Sequence, residues 1–107
     1  MTPYRIILAD DHAMFREGIK KIINETKGMQ VVAEASDGLE LLKLLKQVPA
    51  DMVILDISMP RLRGIEAAIE ISKSHPQVKT LFLSMYKKKE YLHLALSAGA
   101  LGYLLKE

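Results

Sequence analysis

Five short apolar runs, separated by longer amphipathic segments, are the feature that most constrains the fold of this chain. In four of them hydrophobic residues follow one another without alternating with polar ones: Arg5–Ala9, Met52–Leu55, Thr80–Leu83 and Leu101–Leu105. Strands that are hydrophobic on successive residues are typical of a parallel sheet with both faces covered. Val31–Ala35 is a weaker fifth run, in which Glu34 indicates an edge position or an exposed end.

The first two intervening segments carry apolar residues at helical spacing. The first stripe, at i, i+4, i+7 and i+8, consists of Phe15, Ile19, Ile22 and Ile23. Gly28 is predicted to stop this helix, because glycine readily adopts the left-handed conformation that follows many helices. Asp37 is predicted to cap a second, leucine-rich helix, which Pro49 closes.

Two further helices are predicted in the second half of the chain. The third is marked by Ile65, Ala68 and Ile69 and ends before Pro76. The fourth is marked by Tyr91, Leu94, Ala95 and Ala98, with Gly99 just beyond it. Strands that alternate with helices in this way predict an α/β fold with parallel strands joined by right-handed crossovers.

Composition limits the class of protein. The chain has 107 residues, which fits one domain, and a net charge of +2 that is too small to predict nucleic-acid binding by this domain. It has no cysteine, which excludes disulfides and thiolate metal sites. We find no signal peptide and no apolar stretch of membrane-spanning length, so the expected location is the cytoplasm, away from any membrane.

Polar residues follow four of the predicted strands where each strand ends. They are Asp10 and Asp11, Asp56, Ser84 and Lys106. In an open parallel sheet, ligands bind just beyond the carboxyl ends of the strands. We therefore expect these side chains to converge on one edge of the sheet.

The converging groups are those that a phosphoryl transfer needs. Three carboxylates held together repel one another, and a divalent cation relieves that conflict. With no His or Cys at an evident spacing, an all-oxygen set favours Mg²⁺ or Mn²⁺. Asp56 can attack phosphorus to form an acyl phosphate, Lys106 can balance the phosphoryl charge, and Ser84 can donate a hydrogen bond to the phosphoryl group.

Taken singly, each of these polar residues is as well explained by a helix cap, a turn or a surface charge. Their coincidence at four strand ends favours the chemical interpretation.

At these residues the sequence resembles the receiver domain of two-component response regulators, in the NarL/FixJ (LuxR-type) branch. The resemblance covers the whole chain. The motifs that carry it are Ala9–His12, Asp56–Pro60 followed by Gly64, Leu83–Met85, and Ala98–Ala100 leading into Gly102–Lys106. It implies a flavodoxin-like (CheY-like) doubly wound sheet of five parallel strands in the order 2-1-3-4-5.

The resemblance also implies a role for each acidic residue. Asp56 matches the phosphoacceptor. Asp11 matches the direct metal ligand, while Asp10 holds metal-bound water. The backbone carbonyl of Ser58 would complete the protein ligands of the Mg²⁺ or Mn²⁺ ion.

Three further residues match the family's switch. Ser84 matches the switch hydroxyl and Lys106 the lysine that pairs with the phosphoryl group. Tyr103 matches the switch aromatic, which turns inward when Ser84 moves.

The function implied is a signalling switch rather than a turnover enzyme. A sensor histidine kinase would phosphorylate Asp56, and the phosphorylated domain would form a homodimer or contact a partner. Residues 1–107 would be one receiver domain, truncated before its fifth helix and before any output domain, most simply a helix-turn-helix transcription regulator.

Three alternative functions can be compared with the sequence, and only the first is not opposed by it. That one is a stand-alone receiver that acts through protein contacts and does not touch DNA. An aspartate-nucleophile phosphatase of the haloacid dehalogenase type requires a second acid two residues after the nucleophile, where this chain has Ser58. A flavodoxin requires a Ser/Thr/Gly-rich phosphate loop after the first strand, where this chain has Asp10, Asp11 and His12.

Overall fold

The chain folds into a five-stranded parallel sheet with helices on both faces. A computed structural model describes residues 3–56, 64–84 and 89–105. The strands are β1 (Tyr4–Ala9), β2 (Met29–Ala35), β3 (Met52–Asp56), β4 (Lys79–Ser84) and β5 (Gly102–Leu105). The helices in these ranges are α1 (Ala13–Glu25), α2 (Gly38–Gln47), α3 (Gly64–Ser74) and α4 (Lys89–Ser97). The strand order is β2-β1-β3-β4-β5, so the predicted fold class and order are confirmed.

The central strands are buried on both faces, as their non-alternating sequences predict. Ile6, Ile7 and Ala9 of β1 are fully buried, and β3 is buried from Val53 to Asp56. β2 is an edge strand, and the half-buried Glu34 lies on it as expected. A carboxylate is tolerated there because an edge strand has one side open to solvent.

The helices divide the core into two layers. One layer packs α2, α3 and α4 against one face of the sheet, around Leu41, Ile71 and Phe82. The other packs α1 against the opposite face, around Ile23 and the even-numbered positions of β1. In the described parts of the chain no helix is long and apolar enough to cross a membrane.

The cap of α2 is formed as predicted. The Asp37 side chain accepts a hydrogen bond from the backbone N–H of Glu40 at 2.9 Å. Glu40 in turn accepts from the backbone N–H of Ser36 at 2.8 Å, so each carboxylate satisfies an otherwise unpaired donor. The helix ends at Gln47, before Pro49.

Three predicted core positions are wrong. Ile22, Ile69 and Leu94 are 64%, 41% and 49% exposed. Each precedes or follows a buried residue by one position, and one position rotates a side chain by about 100° around a helix. The buried stripes of α3 and α4 consist mainly of alanine, which lets these helices approach the sheet closely.

The prediction that the fifth strand is buried on both faces is also wrong. Leu104 and Leu105 of β5 are 52% and 40% exposed. Tyr103 packs against the layer that contains α4, but Leu104 pairs with Leu83 on the other face. Among the described residues only α1 lies on that face, and it packs beside β2 and β1, which β3 and β4 separate from β5. The described helices therefore cover the sheet unevenly, as expected from four helices, and β5 is the strand with one face left partly exposed.

Three glycine-to-alanine variants should differ in stability for separate reasons. Gly28 and Gly99 have φ angles of +87° and +93°. Alanine in this region costs about 1–2 kcal/mol. At Gly99 the new methyl group would also collide with Oγ of Ser72, whereas at Gly28 it meets open space. We expect Gly99→Ala to lower the free energy of unfolding more than Gly28→Ala, as measured by urea denaturation.

Gly18→Ala is the matched control. Gly18 lies inside α1, and nothing lies within 4 Å of an added methyl group. This variant should stabilise the chain by about 0.5–1 kcal/mol. Equal destabilisation at Gly99 and Gly28 would contradict the collision with Ser72.

Candidate functional site

The carboxyl ends of β1 and β3 bring three aspartates together. Asp10 follows β1, Asp11 leads into α1, and Asp56 is the last residue of β3. Asp10 and Asp56 are only 4% exposed, because the strands that carry them are covered on both faces. Asp11 is exposed, with 34% of its side chain accessible.

A histidine joins this acidic cluster. One ligand atom each from Asp10, Asp11, His12 and Asp56 lie within 4.8 Å of one another. Nδ1 of His12 is 3.1 Å from Asp10, 3.3 Å from Asp11 and 3.7 Å from Asp56, measured to carboxylate oxygens. The prediction of an all-oxygen donor set therefore overlooked His12.

The four donors fit a divalent cation. Two buried carboxylates beside a third repel one another, and a cation of charge +2 at their centre would relieve that repulsion. Carboxylate oxygens are the ligands that Mg²⁺ and Mn²⁺ prefer. The cluster could thus hold a metal ion through side chains from the ends of two adjacent strands.

Arg16 ties the loop after β1 to the edge of the sheet. Its guanidinium Nη1 donates to the backbone carbonyl of Asp10, and its Nε donates to Glu34 at 3.0 Å. Lys20, one turn further along α1, donates to the other carboxylate oxygen of Glu34 at 2.9 Å. These bonds connect α1, β2 and the residue that begins the acidic cluster.

The ion pairs of Glu34 shift the pKa values of Glu34 and Lys20. The Lys20 ammonium, through its hydrogen bond, holds the pKa of Glu34 below its ordinary value. Burial opposes this effect less strongly, and Arg16 adds a smaller effect in the same direction as Lys20. The same hydrogen bond raises the pKa of Lys20. Glu34 therefore stays ionised to lower pH in the folded chain than in the unfolded chain.

The remaining predicted site residues are only partly within the described ranges. Ser84 ends β4 and is fully buried, one position beyond Leu83, which is the register partner of Asp56. Tyr103 on β5 is half-buried and packs against the layer that contains α4. Ser58 and Lys106 lie outside the described residues, as does Pro60.

Comparison with known proteins places the chain among signalling regulators. Residues 6–107 match the family described as the response regulator receiver domain. The chain is 42% identical over 103 residues to the transcriptional regulatory protein YxjL of Bacillus subtilis, covering 96% of this chain and 47% of that protein. It is 44% identical to the oxygen regulatory protein NreC of Staphylococcus epidermidis, covering 95% of this chain and 47% of that protein. The chain thus spans about half the length of these curated relatives.

Solved structures show the same similarity. The signal receiver domain of the response regulator NarL from Mycobacterium tuberculosis superposes with a TM-score of 0.95 at 32% identity, over 100% of this chain and 86% of that one. A DNA-binding response regulator of the LuxR family from Staphylococcus aureus superposes with a TM-score of 0.90 at 30% identity, over 96% of this chain and 86% of that one.

The pKa of Glu34 predicts how stability should depend on pH. A carboxyl group with a lowered folded-state pKa contributes stability above its unfolded pKa, about 4.3, and loses it as pH falls through the folded value. We expect Glu34→Gln to lower the urea midpoint at pH 7 and the difference from the unmodified chain to shrink as the pH falls below about 4.3.

Glu25→Gln is the control for this measurement, because it removes an exposed carboxylate at the end of α1. It should change the midpoint little at either pH. The pKa of Asp51 is also lowered, by Arg5, but that effect is common to all three proteins and cancels in the comparison. A Glu34→Gln difference that stays constant as the pH falls further below the unfolded pKa would contradict the ionic contribution.

Proposed function

The chain belongs to the response regulator receiver domain family, in its NarL (LuxR-type) branch, and we propose that it is a phosphorylation-dependent switch whose phosphoacceptor is Asp56. The family is one of signalling proteins. The observation that carries the proposal is the position of Asp56: buried, at the end of a central strand, and within 4.8 Å of the donor atoms of Asp10, Asp11 and His12.

The proposed reaction transfers a phosphoryl group from a phosphohistidine of a sensor kinase. A carboxylate oxygen of Asp56 attacks phosphorus, the bond between phosphorus and the imidazole nitrogen breaks, and that nitrogen keeps the electron pair and takes up a proton. The product is an acyl phosphate on Asp56. Burial of Asp56 favours this transfer because it excludes water that would otherwise solvate the attacking carboxylate.

Asp10, Asp11 and Asp56, with the backbone carbonyl of Ser58, would hold Mg²⁺ or Mn²⁺. When bound, the cation neutralises charge on the phosphoryl oxygens. Asp10 is suited to an orienting role because its own backbone is fixed by Arg16. Lys106 would pair with the phosphoryl group from the end of β5, and the same site would later allow the chain to hydrolyse its own acyl phosphate.

In the proposed switch, Ser84 and Tyr103 are the residues that respond to phosphorylation of Asp56. Phosphorylation adds negative charge beside the end of β4, and the Ser84 hydroxyl can donate a hydrogen bond to a phosphoryl oxygen. Movement of Ser84 would allow Tyr103 of β5 to turn inward. The surface that includes α4 and β5 would then favour a homodimer or another protein partner.

We propose that residues 1–107 form one receiver domain of a longer cytoplasmic regulator. The curated relatives are about twice as long as this chain, which leaves room in them for an output domain. In this chain's protein the output would be a helix-turn-helix transcription regulator, with DNA contacted by that domain and not by the receiver. A stand-alone receiver is the second candidate, and the sequence that follows Glu107 would decide between them.

Replacement of Asp56 tests the phosphoacceptor. Asp56→Asn should abolish incorporation of phosphate from a small phosphodonor with Mg²⁺, because an amide lacks the nucleophilic carboxylate oxygen. Intact-mass spectrometry would follow the addition. Asp37→Asn is the matched control: it also changes a buried aspartate, but asparagine caps helices equally well. Undiminished incorporation in Asp56→Asn would overturn the assignment.

Replacement of Ser84 separates phosphorylation from the response to it. Ser84→Ala should still accept a phosphoryl group on Asp56, since the nucleophile and acidic cluster remain. It should lose the change in the ring resonances of Tyr103 that accompanies phosphorylation, as measured by NMR before and after addition of phosphodonor. A Tyr103 response equal to that of the unmodified chain would show that Ser84 does not couple the two sites.

A further inference from the structure

The backbone of Asp10, the residue at which the acidic cluster begins, is held on both sides from the end of strand β2. The N–H of Asp10 donates to the carbonyl of Ala35 at 3.0 Å. The carbonyl of Asp10 accepts from Nη1 of Arg16, whose Nε donates to Glu34 at 3.0 Å. One backbone group of Asp10 is thus tied to β2 directly, and the other is tied to it through Arg16.

The bond from Arg16 fixes a peptide unit that lies beyond the strand pairing. The register of β1 with β2 ends at the pair of Ala9 and Ala35, so the peptide unit between Asp10 and Asp11 is outside it. A peptide unit is planar, and its carbonyl and N–H turn together. By holding the Asp10 carbonyl, Arg16 therefore also fixes the direction in which the chain enters Asp11.

The guanidinium of Arg16 is suited to this task and is itself held in place. Its Nε donates to Glu34 while its Nη1 donates to Asp10, so one rigid, planar group makes two bonds in different directions. The side chains of Arg16 and Glu34 are only 20% and 24% exposed, so water competes with this pair less than with a surface ion pair.

We propose that Arg16 is a positioning residue of the cation site. By donating to the Asp10 carbonyl and to Glu34 at once, it holds Asp11 in place beside Asp10 before a cation binds. The inference rests on the proposed function in one respect, namely that a divalent cation binds among the three aspartates.

Asp11 is the ligand that gains most from being held. Its side chain is 34% exposed and it lies between β1 and α1, whereas Asp10 and Asp56 are 4% exposed. A group that is already in place loses less conformational entropy when its partner binds, and the affinity is higher for that reason. Arg16 therefore raises the affinity of the site for a cation although it contributes no ligand atom.

The competing explanation is that Arg16 acts only through its positive charge. A positive charge beside the cluster repels a divalent cation, so removal of that charge would strengthen cation binding. Loss of positioning would weaken it. The two explanations therefore predict changes of opposite sign in the Kd for a cation when a neutral residue replaces Arg16.

Titration with Mn²⁺ measures this sign, because the electron paramagnetic resonance signal of the free ion falls as the ion binds. Arg16→Met keeps a long side chain but removes both donors. It should raise the Kd for Mn²⁺ by about tenfold, the loss typical when a group that orients a metal ligand is removed. Arg16→Lys keeps the charge but not the planar fork, and it should also raise the Kd.

Lys20→Met is the matched control. Lys20 donates to the other carboxylate oxygen of Glu34, so this variant removes the same charge and an ion pair of the same carboxylate. It leaves both bonds of Arg16 in place, and its Kd for Mn²⁺ should stay within about threefold of that of the unmodified chain. A merely structural contribution of these ion pairs would change the Kd in both variants alike.

The outcomes separate this inference from the proposed function. A Kd in Arg16→Met that is unchanged or lower, or an equal rise in Lys20→Met, would overturn the role of Arg16 and leave the cation site in place. A Kd in Arg16→Lys equal to that of the unmodified chain would overturn the need for two donors. Mn²⁺ binding that survives Asp11→Asn together with Asp56→Asn would overturn the proposed cation site, and this inference with it.

Discussion

The repulsion among three aspartates at one edge of the sheet is the constraint on which the rest of this structure depends. Asp10 and Asp56 are 4% exposed, so water screens their charges poorly. An arrangement of this kind persists because the two central strands are packed on both faces and cannot splay apart. Burial thus has two effects: it fixes the geometry of the site, and it makes a bound cation favourable there.

Two cationic side chains of α1, those of Arg16 and Lys20, form hydrogen bonds beside this edge. Arg16 reaches the Asp10 carbonyl, but its charge is matched by Glu34, which Lys20 also binds. The Arg16 side chain is 20% exposed, and the pair of cations on one carboxylate keeps the guanidinium oriented. This arrangement positions the acidic loop through the backbone of Asp10, while the guanidinium charge of Arg16 is paired with Glu34.

The sequence predicts where the site residues lie better than it predicts which helix residues are buried. Asp10, Asp56 and Ser84 could be placed at one edge because parallel strands align their carboxyl ends whatever the detailed packing. His12 could not, since the direction of its ring follows from the backbone conformation at the helix cap, with φ −95° and ψ 94°. Ile22 was misplaced because a single position decides which side of a helix faces the sheet.

Packing also distinguishes the strands that carry the aspartates from the last strand of the sheet. β1 and β3, which carry the aspartates, are buried almost throughout, whereas Leu104 and Leu105 of β5 are 52% and 40% exposed. Regions with fewer buried apolar contacts open at lower free-energy cost. Under the proposed function, a phosphoryl group on Asp56 would therefore move β5 before it moved the strands that carry the aspartates. Tyr103 lies on β5 and Ser84 on the neighbouring β4, so a charge added beside Ser84 can change that surface without loss of the site that received it.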